Sequence, residues 1–167
     1  MAEHLDFEAF CVGQNTRLIR MLTLFCGDAE LARDLTQETL VRVWVNWRKV
    51  RKMDRPDLWT KRVALNLATS QFRRRRTERI IHGRISTGVM LEEVEEGSDR
   101  VAVRAALMRL SERQRTAIVL RYLEDLSVDQ TADLMSCSAG TVKKLTARGL
   151  VGLRACVRED VEVERDA

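Results

Sequence analysis

Residues 127–154, SVDQTADLMSCSAGTVKKLTARGLVGLR, contain two short helical patterns joined by a tight polar turn. Ser127 with Gln130 three positions on has the form of a capping box for the first helix. Ser138 is placed to cap the second, with Gly140 and Thr141 in its first turn. Ala132 is small where the two helices pack closest. Met135, Cys137, Val142 and Leu145 supply apolar residues at the spacing that locks the pair together. The second helix then carries Lys143, Lys144 and Arg148 outward. A helix of this kind fits the major groove, where Lys and Arg reach phosphates and the acceptors of guanine. Thr141 and the first free N–H groups of that helix suit a phosphate contact. The other reading is an ordinary helical hairpin with a solvated basic face. Ser136 stands at a turn position where a left-handed conformation would cost a serine about 1–2 kcal/mol.

The rest of the chain reads as helical too. Its 167 residues allow one domain or two small ones. Pro56 is the only proline, aromatics are 5%, and β-branched alternation is absent, which favours an all-α protein. No run of about 20 apolar residues exists, so membrane insertion is not expected. The first residues, MAEHLDFEAF, lack a signal-peptide pattern, and a cytoplasmic location is expected. Cys11, Cys26, Cys137 and Cys156 are scattered singly, and His4 and His82 are the only histidines. Neither a zinc site nor any other cofactor is expected, and small buried thiols are favoured over a redox sensor. There is no Ser-His-Asp set, no Gly-rich phosphate loop and no metal spacing, so the chain does not read as an enzyme.

Net charge is only +4, but its distribution is uneven. Between residues 41 and 79 stand thirteen basic residues, among them Arg42, Arg48, Lys49, Arg51, Lys52, Arg55, Lys61, Arg62 and the run 73–76. Only Asp54, Asp57 and Glu78 oppose them, while acids collect in 92–99 and 159–166. Such segregation is the electrostatic footprint of a nucleic-acid-binding surface.

A first helix is predicted from about Asp6 to Cys26, with Phe7, Phe10, Leu18, Leu22 and Phe25 on its apolar side. Gly27 ends it, and Asp28 caps a second helix reaching Trp47, whose core residues are Leu31, Leu35, Leu40, Val43, Trp44 and Trp47. A basic loop, 48–55, precedes a third helix that opens at Pro56 and Asp57 and runs to the arginine run. Residues 80–99 lose periodicity and read as a flexible acidic linker. Val103, Leu107 and Leu110 mark the next helix, and Ser111 with Gln114 caps another bearing Ile118, Val119, Tyr122 and Leu123. The organisation expected is thus two small helical domains, 1–79 and 100–158, joined by linker 80–99 and followed by a charged, frayed tail, 159–167.

On the third helix Leu58, Leu65, Ala68 and Phe72 form a core side. Trp59, Arg62, Val63, Asn66 and Arg73 form a neighbouring side. An aromatic beside guanidinium and amide groups is a good surface for unstacked bases. Alternatively, Trp59 is a core tryptophan whose indole N–H reaches the rim.

The order of these parts is informative. DLTQETLVRVW (34–44) precedes PDLWTKRVALNLATSQFRRR (56–75), then the linker, then LSERQRTAIVLRYLEDLSVDQTADLMSCSAGTVKKLTARGL (110–150). Over about residues 10–78 and 101–155 the chain resembles the bacterial RNA polymerase sigma factors of the extracytoplasmic-function group. The resemblance implies a protein that binds core RNA polymerase and directs promoter recognition, promoter opening and transcription initiation, in a stress or envelope response. It implies that Asp34, Gln37, Glu38 and Arg42 dock on the polymerase. Loop 50–56 and the helix behind it would recognise and open the minus-ten element through Val50, Arg51, Trp59, Arg62, Asn66, Arg73 and Arg74. A non-template base would flip into a pocket lined by the loop and Asn66. Ser138, Thr141, Lys143, Lys144 and Arg148 would read the minus-thirty-five element. Departures from the family pattern are Ser136, where the turn usually has Gly, and Lys144–Leu145, where many relatives have Ser and a polar or basic residue.

Partners implied are core RNA polymerase, promoter DNA and an anti-sigma factor, with a monomer expected for the free chain. The alternative is a stand-alone helix-turn-helix regulator with an N-terminal sensor or dimerisation domain. That alternative leaves the basic block and Trp59 unexplained, and an RNA-binding adaptor would not need a major-groove helix.

Overall fold

A computed structural model describes the backbone of residues 2–81 and 98–165 and the side chains of residues 6–74 and 101–156. Among the described residues every regular element is helical. The chain divides into two compact units, residues 1–92 and 93–167.

The first unit is built from α1 (Ala2–Cys26), α2 (Ala29–Val45), the single turn α3 (Trp47–Val50) and α4 (Pro56–Ile81). Gly27 closes α1 at a positive φ of 75°, a conformation that glycine adopts without steric cost. The Asp28 carboxylate then accepts the Leu31 N–H at 2.9 Å and caps α2. α2 packs against both α1 and α4. The buried residues of these three helices include Leu18, Met21, Leu22 and Phe25 from α1, Leu31 and Leu35 from α2, and Ala64, Leu65 and Ala68 from α4. Phe72 closes the far end, edge-on to Phe25 at 5.6 Å. The buried hydroxyls of Thr36, Thr39 and Thr60 donate to the carbonyls of Ala32, Leu35 and Pro56, so these three groups are satisfied within their own helices.

Trp44 departs from the core expected for α2: it is 41% exposed. The buried stripe steps by four through Leu31, Leu35, Thr39 and Val43, which leaves positions 40 and 44 on its flank. Trp44 covers Phe7 there, with ring centroids 4.7 Å apart. Asn46 ends α2, its N–H bonding back to Arg42 and Val43, and Trp47 restarts the chain as α3. Trp47 is thereby sunk against Phe7 and Phe10.

The second unit comprises α5 (Ser98–Met108), α6 (Glu112–Ile118), a π-helical turn (Val119–Leu123), α7 (Val128–Met135) and α8 (Ala139–Arg165). Both expected capping boxes are present, Ser111 with Gln114 and Ser127 with Gln130. α8 packs against α5, α6 and α7 over a core that includes Leu107, Leu110, Ile118, Leu120, Leu126, Leu134 and Val142. Val103 and Tyr122, expected on apolar faces, are largely exposed. For Tyr122 the cause is the π turn, whose wider hydrogen-bond ring shifts the register of side chains after Leu120. Past that turn Asp125 takes a positive φ, and the Arg121 guanidinium donates to the Leu126 carbonyl.

Residues 82–97, most of the expected linker, lie outside the described residues. At its edges residues 80–81 belong to α4 and 98–99 to α5, and α8 continues to Arg165 through most of the expected tail.

Ser136 ends α7 at φ 49°, ψ 51°, the left-handed conformation. Its N–H bonds to Asp133 and the Cys137 N–H to Ala132, so the backbone is held in this strained shape by the helix end itself. Ser136→Gly removes the Cβ conflict, and because the site is exposed nothing else is lost. The substitution should stabilise the second unit by about 1 kcal/mol, read as a higher urea midpoint with unchanged slope.

Candidate nucleic-acid interface

The helix-turn-helix is assembled from local hydrogen bonds and one buried face. Ser138 Oγ accepts the Thr141 N–H at 3.1 Å and lies 2.9 Å from the Thr141 hydroxyl, which starts α8 at the end of the turn. Val142 is fully buried, and Gly149, seven residues on and so on the same face, packs against Ile118. Lys144 and Arg148 fall about 200° and 240° around the helix from Val142, directly away from that contact, with Lys143 on the flank. All three are exposed. The unit thus holds α8 by one face and offers a basic one.

In the first unit Val43, Trp47 and Val50 form a buried cluster, with Phe7, Phe10, Met53 and Trp59 packed against it. Val50, expected to touch minus-ten DNA, is 0% exposed, so that assignment is corrected. The α3 turn drives its side chain inward, into the cluster with Val43 and Trp47. Trp59 combines its two readings: it is half-buried, one side on this cluster and the remainder accessible. Arg62 and Asn66 are exposed one turn apart on α4, with Arg73 further along the same side and Arg74 beside it. Arg51 is exposed 3.9 Å from Asp6.

Lys61 leaves the basic surface that its sequence position suggests. It is only 4% exposed, with its Nζ 3.7 Å from Asp57 Oδ2. Asp57 also accepts two bonds from Arg55, at 3.0 and 2.9 Å. The Arg55 bond, with Coulombic help from Lys61, holds the Asp57 carboxyl below its usual value against partial burial, which alone would raise it. Its contribution to stability is therefore complete above the unfolded-state pKa and is lost as pH falls through the lowered one.

On α2 the expected docking residues Asp34, Gln37, Glu38 and Arg42 are all exposed on one side, and Arg42 bonds Glu38 at 2.7 Å.

Residues 14–78 match the family described as Sigma-70 region 2, and residues 100–152 match Sigma-70, region 4. The RNA polymerase sigma-E factor of Streptomyces coelicolor is 31% identical over 154 residues, covering 92% of this chain and 87% of that protein. This chain belongs to the bacterial RNA polymerase sigma factors of the extracytoplasmic-function group. The sigma factor SigL of Mycobacterium tuberculosis is 30% identical, covering 80% of this chain and 78% of its own. Among solved structures, the sigma factor RpoE in complex with the anti-sigma factor NepR from Bartonella quintana superposes with a TM-score of 0.81 at 25% identity, covering 92% of this chain and 97% of that one. As a sigma factor, the protein is a non-catalytic subunit that directs RNA polymerase to promoters.

Sequence reasoning missed an apolar patch on this sigma factor. Val41 and Val45, four residues apart on α2, are 60% and 75% exposed beside the residues expected to dock on the polymerase. With Trp44, Leu40, Phe7, Glu8 and Cys11, Val41 borders a cavity of about 400 Å³. The signal available was the i, i+4 pair of valines opposite the buried stripe. Burial and the neighbouring Glu8 push the Cys11 thiol up, which disfavours the reactive thiolate. Among the described residues no helix is long and apolar enough to cross a membrane.

Proposed function

We propose that the two units divide the promoter between them: α8 reads the minus-thirty-five element, and α4 with loop 51–55 captures a base of the minus-ten element. The observation that carries this reading is the paired exposure on each unit. Lys144 and Arg148 project opposite the buried face of α8, and Arg62 and Asn66 share one accessible face of α4 beside a partly open Trp59. Ser138 and Thr141 sit at the α8 N-terminus, suited to phosphate. Arg51, Arg73 and Arg74 extend the basic track along the backbone. Asp34, Gln37, Glu38 and Arg42 dock on core RNA polymerase. The likeness to a sigma factor solved with an anti-sigma factor supports control by such a partner. The protein works in the cytoplasm, where its polymerase is, as a monomer until bound, in a stress or envelope response.

The test is transcription in vitro by core polymerase on a genomic promoter library. Added protein should direct new start sites, each preceded by two elements at a defined spacing. Unchanged initiation, with no retention of the chain by core enzyme, would leave a stand-alone regulator as the better account.

Lys144 can be examined separately. As a base contact, Lys144→Ala should cost about 1–3 kcal/mol on the cognate minus-thirty-five duplex and flatten the sequence preference. Equal weakening on every duplex would make it a phosphate contact.

A further inference from the structure

The loop that precedes α4 is braced at both ends by different means. At its start the Arg51 N–H bonds the Trp47 carbonyl and the Met53 N–H the Val50 carbonyl, while Met53 packs with Trp59 on the buried cluster. At its end side chains take over. The Arg55 guanidinium grips both oxygens of Asp57, and the Arg55 carbonyl accepts the Trp59 N–H at 3.3 Å. Asp57 is itself placed by Lys61, one turn further along α4 and nearly buried.

An exposed pair such as Arg55–Asp57 contributes little to stability, because water screens it. A two-pronged guanidinium–carboxylate contact does, however, fix direction, since both groups are planar. The contact joins the last residue of the loop to the first turn of the helix that carries Trp59, Arg62 and Asn66. It also pairs the Arg55 charge with a carboxylate. We propose that Asp57 is a positioning residue for base capture: by holding Arg55 it fixes loop 51–55 against the Arg62–Asn66 face and so sets which minus-ten base is accepted. This rests on the reading of α4 as the minus-ten surface.

The experiment uses reconstituted holoenzyme and promoter fragments carrying each of the four bases at each minus-ten position, with the rate of open-complex formation as readout. Asp57→Asn and Arg55→Ala should each reduce base discrimination about tenfold at one position. The double variant should be no worse than either single one, and affinity for core polymerase and for the minus-thirty-five duplex should be unchanged. Retained discrimination, an equal rate loss on all four bases, or additive effects of the two substitutions would overturn the proposal. Should Asp57→Asn fail to fold because Lys61 loses its counter-charge, Arg55→Ala decides alone, since Arg55 is at the surface. A wild-type holoenzyme indifferent to every minus-ten base would sink base capture itself and this proposal with it. Discrimination by wild type that the variants share would sink the role of Asp57 only.

Discussion

Gly149→Val should unfold much of the second unit while the first unit melts as before. A glycine inside a helix is worse than alanine by about 1 kcal/mol, so helix propensity alone argues for replacing it. The packing reverses the sign. A Cβ built at position 149 lies 2.9 Å from Ile118 Cγ1 and 3.2 Å from Cδ1, with the Gln114 carbonyl at 3.6 Å. Ile118 is buried, and its stiff branched side chain has nowhere to retreat. Overpacking of this sort costs about 1–3 kcal/mol, and valine adds two methyl groups beyond the Cβ. A unit of this size has only about 5 kcal/mol to lose. Calorimetry of the whole chain should show one transition lowered by roughly 4–8 °C per kcal/mol and the other unmoved. Binding to a minus-thirty-five duplex should fall in parallel. Gly149→Ala should go the same way by a smaller step. A raised or unchanged transition for both variants would show that α6 and α8 do not pack this closely.

The second large effect is a difference between the free protein and the holoenzyme. Permanganate should find no reactive thymines when the sigma factor alone is mixed with promoter DNA, and clear reactivity around the minus-ten element once core polymerase is added. Each DNA step unstacked costs about 1.4 kcal/mol, so a bubble of about a dozen base pairs costs roughly 17 kcal/mol. One base stacked on an aromatic returns about 1–3 kcal/mol. Trp59 is the aromatic on the α4 face, and part of its surface is already spent on Val43, Trp47 and Val50. Even full stacking there could balance one or two extruded bases. The remainder has to come from the polymerase. Reactive thymines produced by the free chain would contradict this accounting.

The parts of this fold that were readable from residue order are those governed by near neighbours. Asp28, Ser111, Ser127 and Ser138 bond to N–H groups three positions away, so their roles follow from spacing alone. The outward direction of Lys144 and Arg148 follows from the period of α8 in the same way. Ser136 is intermediate: the turn was legible, while its left-handed geometry came from the helix end that closes over it.

Val50, Trp44, Lys61 and Tyr122 were misplaced by the same kind of reasoning, and the errors share a cause. Each sits beside an element boundary or on the flank of an apolar stripe. There, a shift of about 100° around a helix turns a buried side chain into an exposed one. The break at Asn46 and the π turn after Ile118 each reset that angle, and neither leaves a sharp mark in composition.

By itself the order of amino acids determined an all-helical chain in two blocks, its caps, its segregated charge and the sigma-factor motifs, because capping and periodicity act over three or four residues. Tertiary structure alone decided that Val50 is buried, that Trp59 is shared between core and surface, and that Lys61 is sunk out of the basic surface. Burial depends on which distant helix arrives at a face, and that is settled only when α1, α2 and α4 pack together.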